Sequence, residues 1–164
     1  MAAMNTNVNV IIETTKGSAE KYDYDKDLHW FKLKKVLPAG MTFPYDFGFI
    51  PGTKGEDGDP LDAIVISEFK TFTGCLVECR IVGCIQAEQA EQKLTVRNDR
   101  YIAVPLVSAM FEQVENIKQL PKSIIRALEN FFIHYNEAEG KVFKPLKNIS
   151  GKAALTLINK QKNG

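Results

Sequence analysis

Asp57-Gly58-Asp59-Pro60-Leu61-Asp62-Ala63 gathers three carboxylates into one short segment, with Glu56 directly before them. Gly58 and Pro60 favour a turn, and Asp62-Ala63-Ile64-Val65-Ile66 reads as the start of a strand. Carboxylates this close repel one another, so folding them together is unfavourable unless cations neutralise them. Hard oxygen donors on a tight turn suit Mg2+ or Mn2+, which take carboxylates and keep part of their water shell. Asp-x-Asp alone reads as a solvated acidic turn. The third Asp, at the head of a strand, favours a metal site.

Outward from this turn, the first half of the chain carries strand patterns. Val8–Thr14 is β-branched, and Lys16-Gly17-Ser18 ends it. Lys21-Tyr22-Asp23-Tyr24-Asp25 alternates, so Lys21 and Asp23 share a face opposite Tyr22 and Tyr24. Trp30–Leu37 alternates less regularly. A Pro/Gly-rich stretch from Pro38 to Gly52 reads as a loop. Asp62–Ser67, a long run over Leu76–Ala87 and a short one over Arg100–Leu106 supply further strands. Strands at this spacing joined by irregular loops predict a closed or partly closed barrel. The period then changes. From Pro121 to Ala138 the residues Ile124, Ile125, Leu128, Phe131, Phe132 and Tyr135 recur at helical spacing, and Gly140 provides a stop. Ser150 is the expected N-cap of a second helix through Ala154, Leu155 and Ile158. A barrel followed by helices is an α+β plan.

A chain of 164 residues is expected to form one domain burying about two thirds of its unfolded surface. Residues 1–7 are expected to stand outside it, with Met4 as the native start, and 160–164 to fray. A net charge of +1 gives no global attraction for nucleic acid or an anionic membrane. No apolar run approaches the roughly 20 residues of a membrane-spanning helix. Cys75, Cys79 and Cys84, odd in number and close together, do not form a disulfide framework or a zinc-site spacing, and read as buried thiols of a cytoplasmic protein. His29 and His134 have no triad-like or His-x-x-x-His setting.

Phosphate chemistry needs carboxylate-held metals and cations on phosphate oxygens. Both signs are present: Glu13, Lys21 and Asp23 on strand-like runs, the basic Lys32, Lys34 and Lys35, and the mixed Arg97-Asn98-Asp99-Arg100. No Gly-x-x-x-x-Gly-Lys-Ser/Thr phosphate loop occurs.

These residues together resemble the soluble family I inorganic pyrophosphatases. The resemblance rests on the Asp-x-Asp-Pro-x-Asp form of Asp57–Asp62. In family order around it stand Ile12-Glu13, Lys21-Tyr22-Asp23, Phe43–Ile50, Ile102-Ala103-Val104-Pro105 and the helical Phe131–Tyr135. It covers roughly Val8 to Lys144. It implies a five-stranded OB-like β-barrel with two flanking α-helices, and hydrolysis of pyrophosphate to two phosphates that depends on Mg2+, with Mn2+ as an alternative. On this resemblance Asp57, Asp62, Glu13 and Asp23 hold metal, and Asp59 orients or deprotonates the attacking water. Two divalent ions lower that water's pKa and neutralise the leaving phosphate. Lys21, Tyr135, Lys35 and Arg100 bind phosphate oxygens. A homo-oligomer, by analogy a hexamer, is expected.

The departures cluster in the site. Lys35 stands where the family has Arg, which removes a bidentate fork. Phe43 and Phe47 replace two tyrosines, and Tyr135-Asn136 replaces Tyr-Lys. Two metal-binding Asp positions hold Gln89 and Asn98, with Arg100 in place of a Lys. Glu88, Glu91 and Asp99 are the nearby carboxylates that could substitute. A slower, divergent pyrophosphatase is expected. The alternatives are hydrolysis of another phosphate ester or anhydride, or a non-catalytic OB-like binding module stacking bases on Phe47 and Phe49.

Overall fold

The computed structural model describes residues 7–163. Five strands pair in a closed ring: β1 (Asn7–Thr14), β4 (Asp46–Ile50), β5 (Leu61–Val65), β8 (Arg100–Pro105) and β6 (Leu76–Glu91), with β6 returning to β1. Only β5 and β8 run parallel; the other ring pairs are antiparallel. The long β6 also pairs with β7 (Leu94–Arg97) and β9 (Val142–Ser150), giving a seven-stranded sheet. A separate hairpin, β2 (Glu20–Asp25) with β3 (Trp30–Val36), stands beside the ring. The α+β barrel expectation is met, with β7, β9 and the hairpin added to the five ring strands.

Helix α1 (Lys122–Glu137) follows the predicted apolar period and buries Ile125, Leu128, Phe132 and Tyr135. These join Phe43, Phe47, Ile64, Ile102 and Phe143 in one core. Helix α2 (Gly151–Lys160) begins at Ser150, whose Oγ accepts the Ala153 N–H at 3.2 Å, satisfying a donor that the helix itself leaves unpaired. Its Ala154 and Ile158 pack in a second core with Ala63, Val65, Cys84 and Tyr101. Strand β5 thus sends Ile64 to one core and Ala63 and Val65 to the other, which is why it reads as continuously apolar. Each such large apolar side chain contributes about 1.5–3 kcal/mol on burial.

Strand β4 occupies part of the stretch expected as a loop. Its five residues are all buried, and Pro44 and Pro51 at its flanks disguise it. Asn7, expected outside the domain, opens β1 and pairs with Arg80 of β6. Near the C-terminus, Lys54 N–H donates to the Gln161 carbonyl (2.9 Å) and Asn163 N–H to that of Gly52 (2.8 Å). The expectation for residues 1–6 and 164 lies outside the described residues. All three cysteines are free thiols; Cys79 and Cys84 are buried as expected, whereas Cys75 is only half-buried. Burial pushes Cys79 up to about 12 and raises Cys84 as well, so both stay protonated. No helix among the described residues is long and apolar enough to cross a membrane.

Candidate active site

A cleft of about 650 Å3 opens between the hairpin, the acidic turn and α1. Its carboxylates arrive from three directions. Asp57 and Asp59 stand on the turn before β5, Asp62 on β5 itself, and Glu13 and Asp23 on β1 and β2. Gly58 takes φ +89°, a left-handed conformation suited to glycine. The Asp59 N–H donates to Asp57 Oδ1 at 3.0 Å. Thr53 latches the turn to the barrel by donating to the Ile50 carbonyl (2.6 Å) and accepting the Leu61 N–H (3.0 Å).

Two β-bulges re-aim side chains into this cleft. On β1 the register passes from Ile12↔Gly48 to Thr14↔Phe47, leaving Glu13 as the extra residue. On β3 it passes from Lys35↔Lys21 to Leu33↔Tyr22, leaving Lys34 extra. A bulge frees one residue from the alternation of its strand, and both of these line the cleft.

The cations are interleaved with the carboxylates. Lys21 Nζ lies 3.2 Å from Asp23 Oδ1, and Lys34 Nζ 3.0 Å from Asp23 Oδ2. Burial works against the Asp23 carboxylate, but these two lysines hold its pKa below the ordinary value. Lys21 Nζ is 5.6 Å from the centre of the Tyr135 ring. Lys35 does not line the cleft; it sits over Tyr135 at 4.0 Å from the ring centre and pairs with Glu139. Lys141, unsuspected from sequence, does line it, 3.7 Å from both Glu91 and Glu139. It restores a cation near the position where Asn136 stands, whose amide donates to the Phe132 carbonyl at 2.7 Å. No motif marks Lys141, a single lysine in the turn after α1.

At the floor, Arg100 NH1 donates to Asp62 Oδ2 (2.5 Å) and Asn98 Oδ1 (2.6 Å), while Asn98 Nδ2 donates to Gln89 Oε1 (2.7 Å). Asp99 and Glu88 do not line the cleft. The Asp99 carboxylate receives Arg97 NH2 on both oxygens at 3.0 Å and accepts the Ala87 N–H at 3.1 Å. The substitution of Asp99 for a lost ligand therefore meets a carboxylate already engaged elsewhere. We expect Asp99→Ala to leave any dependence of turnover on divalent cation unchanged and to lower stability by about 1–2 kcal/mol. Magnesium titration of turnover and denaturant unfolding check both parts. Phe47 and Phe49, only 6% and 8% exposed, are core residues and present no stacking face.

The carboxylates ask for positive charge. Burial, then Asp23 and Asp62, raise Glu13 to about 8 against the pull of the Tyr24 N–H and Lys21. Burial also raises Asp62 against the opposing charge of Arg100. Among the described residues no three His, Cys, Asp or Glu side chains already surround one point. Magnesium needs only one or two protein carboxylates, the rest of its shell being water and phosphate, so this donor set fits it. In the metal-free protein Glu13 keeps its proton to about pH 8, whereas the unfolded chain releases it near 4.5. Folding therefore takes up a proton between those values, and stability falls as pH rises through that window. Because added cation offsets the charge, Mg2+ should raise the melting temperature more at about pH 8 than at about pH 5. Equal gains in thermal unfolding at the two pH values would contradict this.

The family model for inorganic pyrophosphatase matches residues 10–163. An inorganic pyrophosphatase of Synechocystis sp. is 35% identical over 151 residues, spanning 92% of this chain and 87% of that protein. That of Sulfolobus acidocaldarius is 36% identical over 152 residues, spanning 91% and 83%. The crystal structure of inorganic pyrophosphatase from Thermus thermophilus superposes with a TM-score of 0.86 at 32% identity, covering 97% of this chain and 91% of that one.

Proposed function

The chain belongs to the inorganic pyrophosphatase family and is a hydrolase of pyrophosphate, and from that premise we propose how its cleft carries the reaction. The observation that carries the reading is the meeting of the acidic turn with Lys21, Lys34 and Arg100 in one cleft. Pyrophosphate lies with its oxygens toward Lys21, Lys34 and Lys141, and Tyr135 donates its hydroxyl. Lys35 acts from behind the Tyr135 ring. Arg100 adds fixed positive potential from the floor. Asp59, exposed at the tip of the turn, accepts the proton of the attacking water as its oxygen joins phosphorus and the bridging P–O bond breaks. The leaving phosphate carries away the bridging oxygen, whose developing charge meets the lysines. Asp57, Glu13 and Asp23 are the carboxylates proposed to face magnesium, while Asp62, expected in that set, is paired with Arg100; Asp99 and Glu88 are also left out. When bound, the divalent ions lower the pKa of the attacking water and neutralise phosphate charge.

Three free thiols support a reducing, cytoplasmic setting. The exposed apolar Leu106, Val107 and Met110 support a homo-oligomer, by family analogy a hexamer. Substrate choice is tested by phosphate release from pyrophosphate beside a panel of nucleotides and sugar phosphates, all in Mg2+. Pyrophosphate is expected to be turned over at least about a hundredfold faster, since charges set for two linked phosphates are left unpaired by other esters. Faster turnover of another phosphate would redirect the reading to that substrate.

A further inference from the structure

We propose that Arg100 is a resident cation of this cleft: its guanidinium neutralises Asp62 in place of a divalent ion, so metal binds only at the remaining carboxylates. The inference rests on the pyrophosphatase reading for the use of the site, but the arrangement itself stands on geometry. Asp62 and Arg100 are register partners on the parallel strands β5 and β8, so the backbone itself brings the two side chains together. Arg100 NH1 reaches Asp62 Oδ2 at 2.5 Å and Asn98 Oδ1 at 2.6 Å, and also lies 3.4 Å from the Asn98 carbonyl. The Asn98 amide is in turn fixed by its bond to Gln89 Oε1 at 2.7 Å. Asp62 Oδ2 and Asn98 Oδ1 therefore both accept from the same guanidinium nitrogen, and Gln89 Oε1 accepts from the Asn98 amide. One guanidinium organises the set.

The surroundings keep that guanidinium in place. Its Cζ lies 4.7 Å from the centre of the Phe132 ring, 5.3 Å from Phe143 and 5.8 Å from Phe47. The aromatic faces attract the cation and keep water away, leaving Arg100 only 4% exposed and its Nε buried with no hydrogen-bond partner. A cation in such a place depends on its carboxylate, because removing the partner leaves an uncompensated buried charge. A divalent ion at Asp62 would meet a carboxylate already paired on Oδ2 and would sit beside a fixed positive charge that repels it. Unlike a metal ion, the guanidinium is tethered to the chain and cannot dissociate from it. The neutral amides of Gln89 and Asn98 agree with this arrangement, since carboxylates there would add negative charge that a single guanidinium could not balance. The chain thus carries part of its cation complement covalently.

The test counts Mn2+ bound per chain, by the loss of the free-ion paramagnetic resonance signal, with no pyrophosphate present. Arg100→Gln is expected to bind one Mn2+ more than the unaltered protein, and Arg100→Lys the same number as the unaltered protein. Equal counts for Arg100→Gln and the unaltered protein would overturn the proposal, as would an extra ion in Arg100→Lys. If Arg100→Gln is unfolded without metal, thermal unfolding in MnCl2 decides. Recovery of the folded state by Mn2+ is the expected result, and a chain that stays unfolded in Mn2+ would overturn it. Because the count is made without substrate, a failure to turn over pyrophosphate would remove the substrate reading and leave the metal count unaffected.

Discussion

Asp59→Asn is expected to lower phosphate release from pyrophosphate by roughly 100- to 10,000-fold, the range typical for loss of a general base. Asparagine has nearly the same shape but cannot take a proton. Asp59 is also a poor candidate for a structural role. It is its backbone N–H, not its carboxylate, that bonds to Asp57 Oδ1, and its carbonyl that accepts the Gly55 N–H at 2.7 Å. The turn should survive the substitution with its melting temperature nearly unchanged. Pyrophosphate should still bind in Mg2+, because Lys21, Lys34 and Arg100 are untouched. Steady-state phosphate release, circular dichroism and a binding titration separate these outcomes. Activity within about tenfold of the unaltered enzyme would move the proton-accepting role to another cleft carboxylate.

Gly48→Ala is expected to be the most damaging single-methyl change in the barrel, lowering stability by about 3 kcal/mol or more. A Cβ at this position would lie 2.0 Å from the Ile11 carbonyl oxygen and 2.8 Å from its carbon. Those are backbone atoms of the neighbouring strand and cannot swing aside as a side chain can. Gly48 faces Ile12 on β1 and Ala63 on β5, so relief would require two strand pairings to shift. The same displacement would move the bulge that carries Glu13. Loss of activity should therefore accompany loss of stability. Denaturant unfolding gives the first quantity, and an unaltered midpoint would show that the ring is more pliant than its packing implies.

Much of the architecture is legible in residue patterns because those patterns are direct responses to burial. Strand β2 alternates because one face carries Lys21 and Asp23 into the cleft while Tyr24 packs near Phe31 and Phe49. Helix α1 shows its period because one stripe meets the barrel. Strand β4 is hidden for the opposite reason: buried throughout, it has no alternation, and prolines bracket it. The acidic turn is readable from local chemistry. The pairing of Arg100 with Asp62 is not, since it depends on the register of strands whose paired residues are 38 positions apart. The aim of Glu13 and Lys34 depends on bulges, which leave no mark in a short stretch of sequence. Lys141 enters the cleft only because α1 and β9 bring its turn there. Asp99 shows the limit from the other side: one position from Asn98 along the chain, it turns its carboxylate to Arg97 instead of into the cleft.

Metal-dependent pyrophosphate hydrolysis is tested most directly by phosphate release from pyrophosphate by the unaltered chain, measured in Mg2+ and again after the metal is removed with EDTA. Steady release of two phosphates per pyrophosphate is expected in Mg2+, with its loss in EDTA and its return when Mg2+ is restored. A folded protein that releases no phosphate from pyrophosphate in Mg2+, or releases it equally in EDTA, would contradict this expectation.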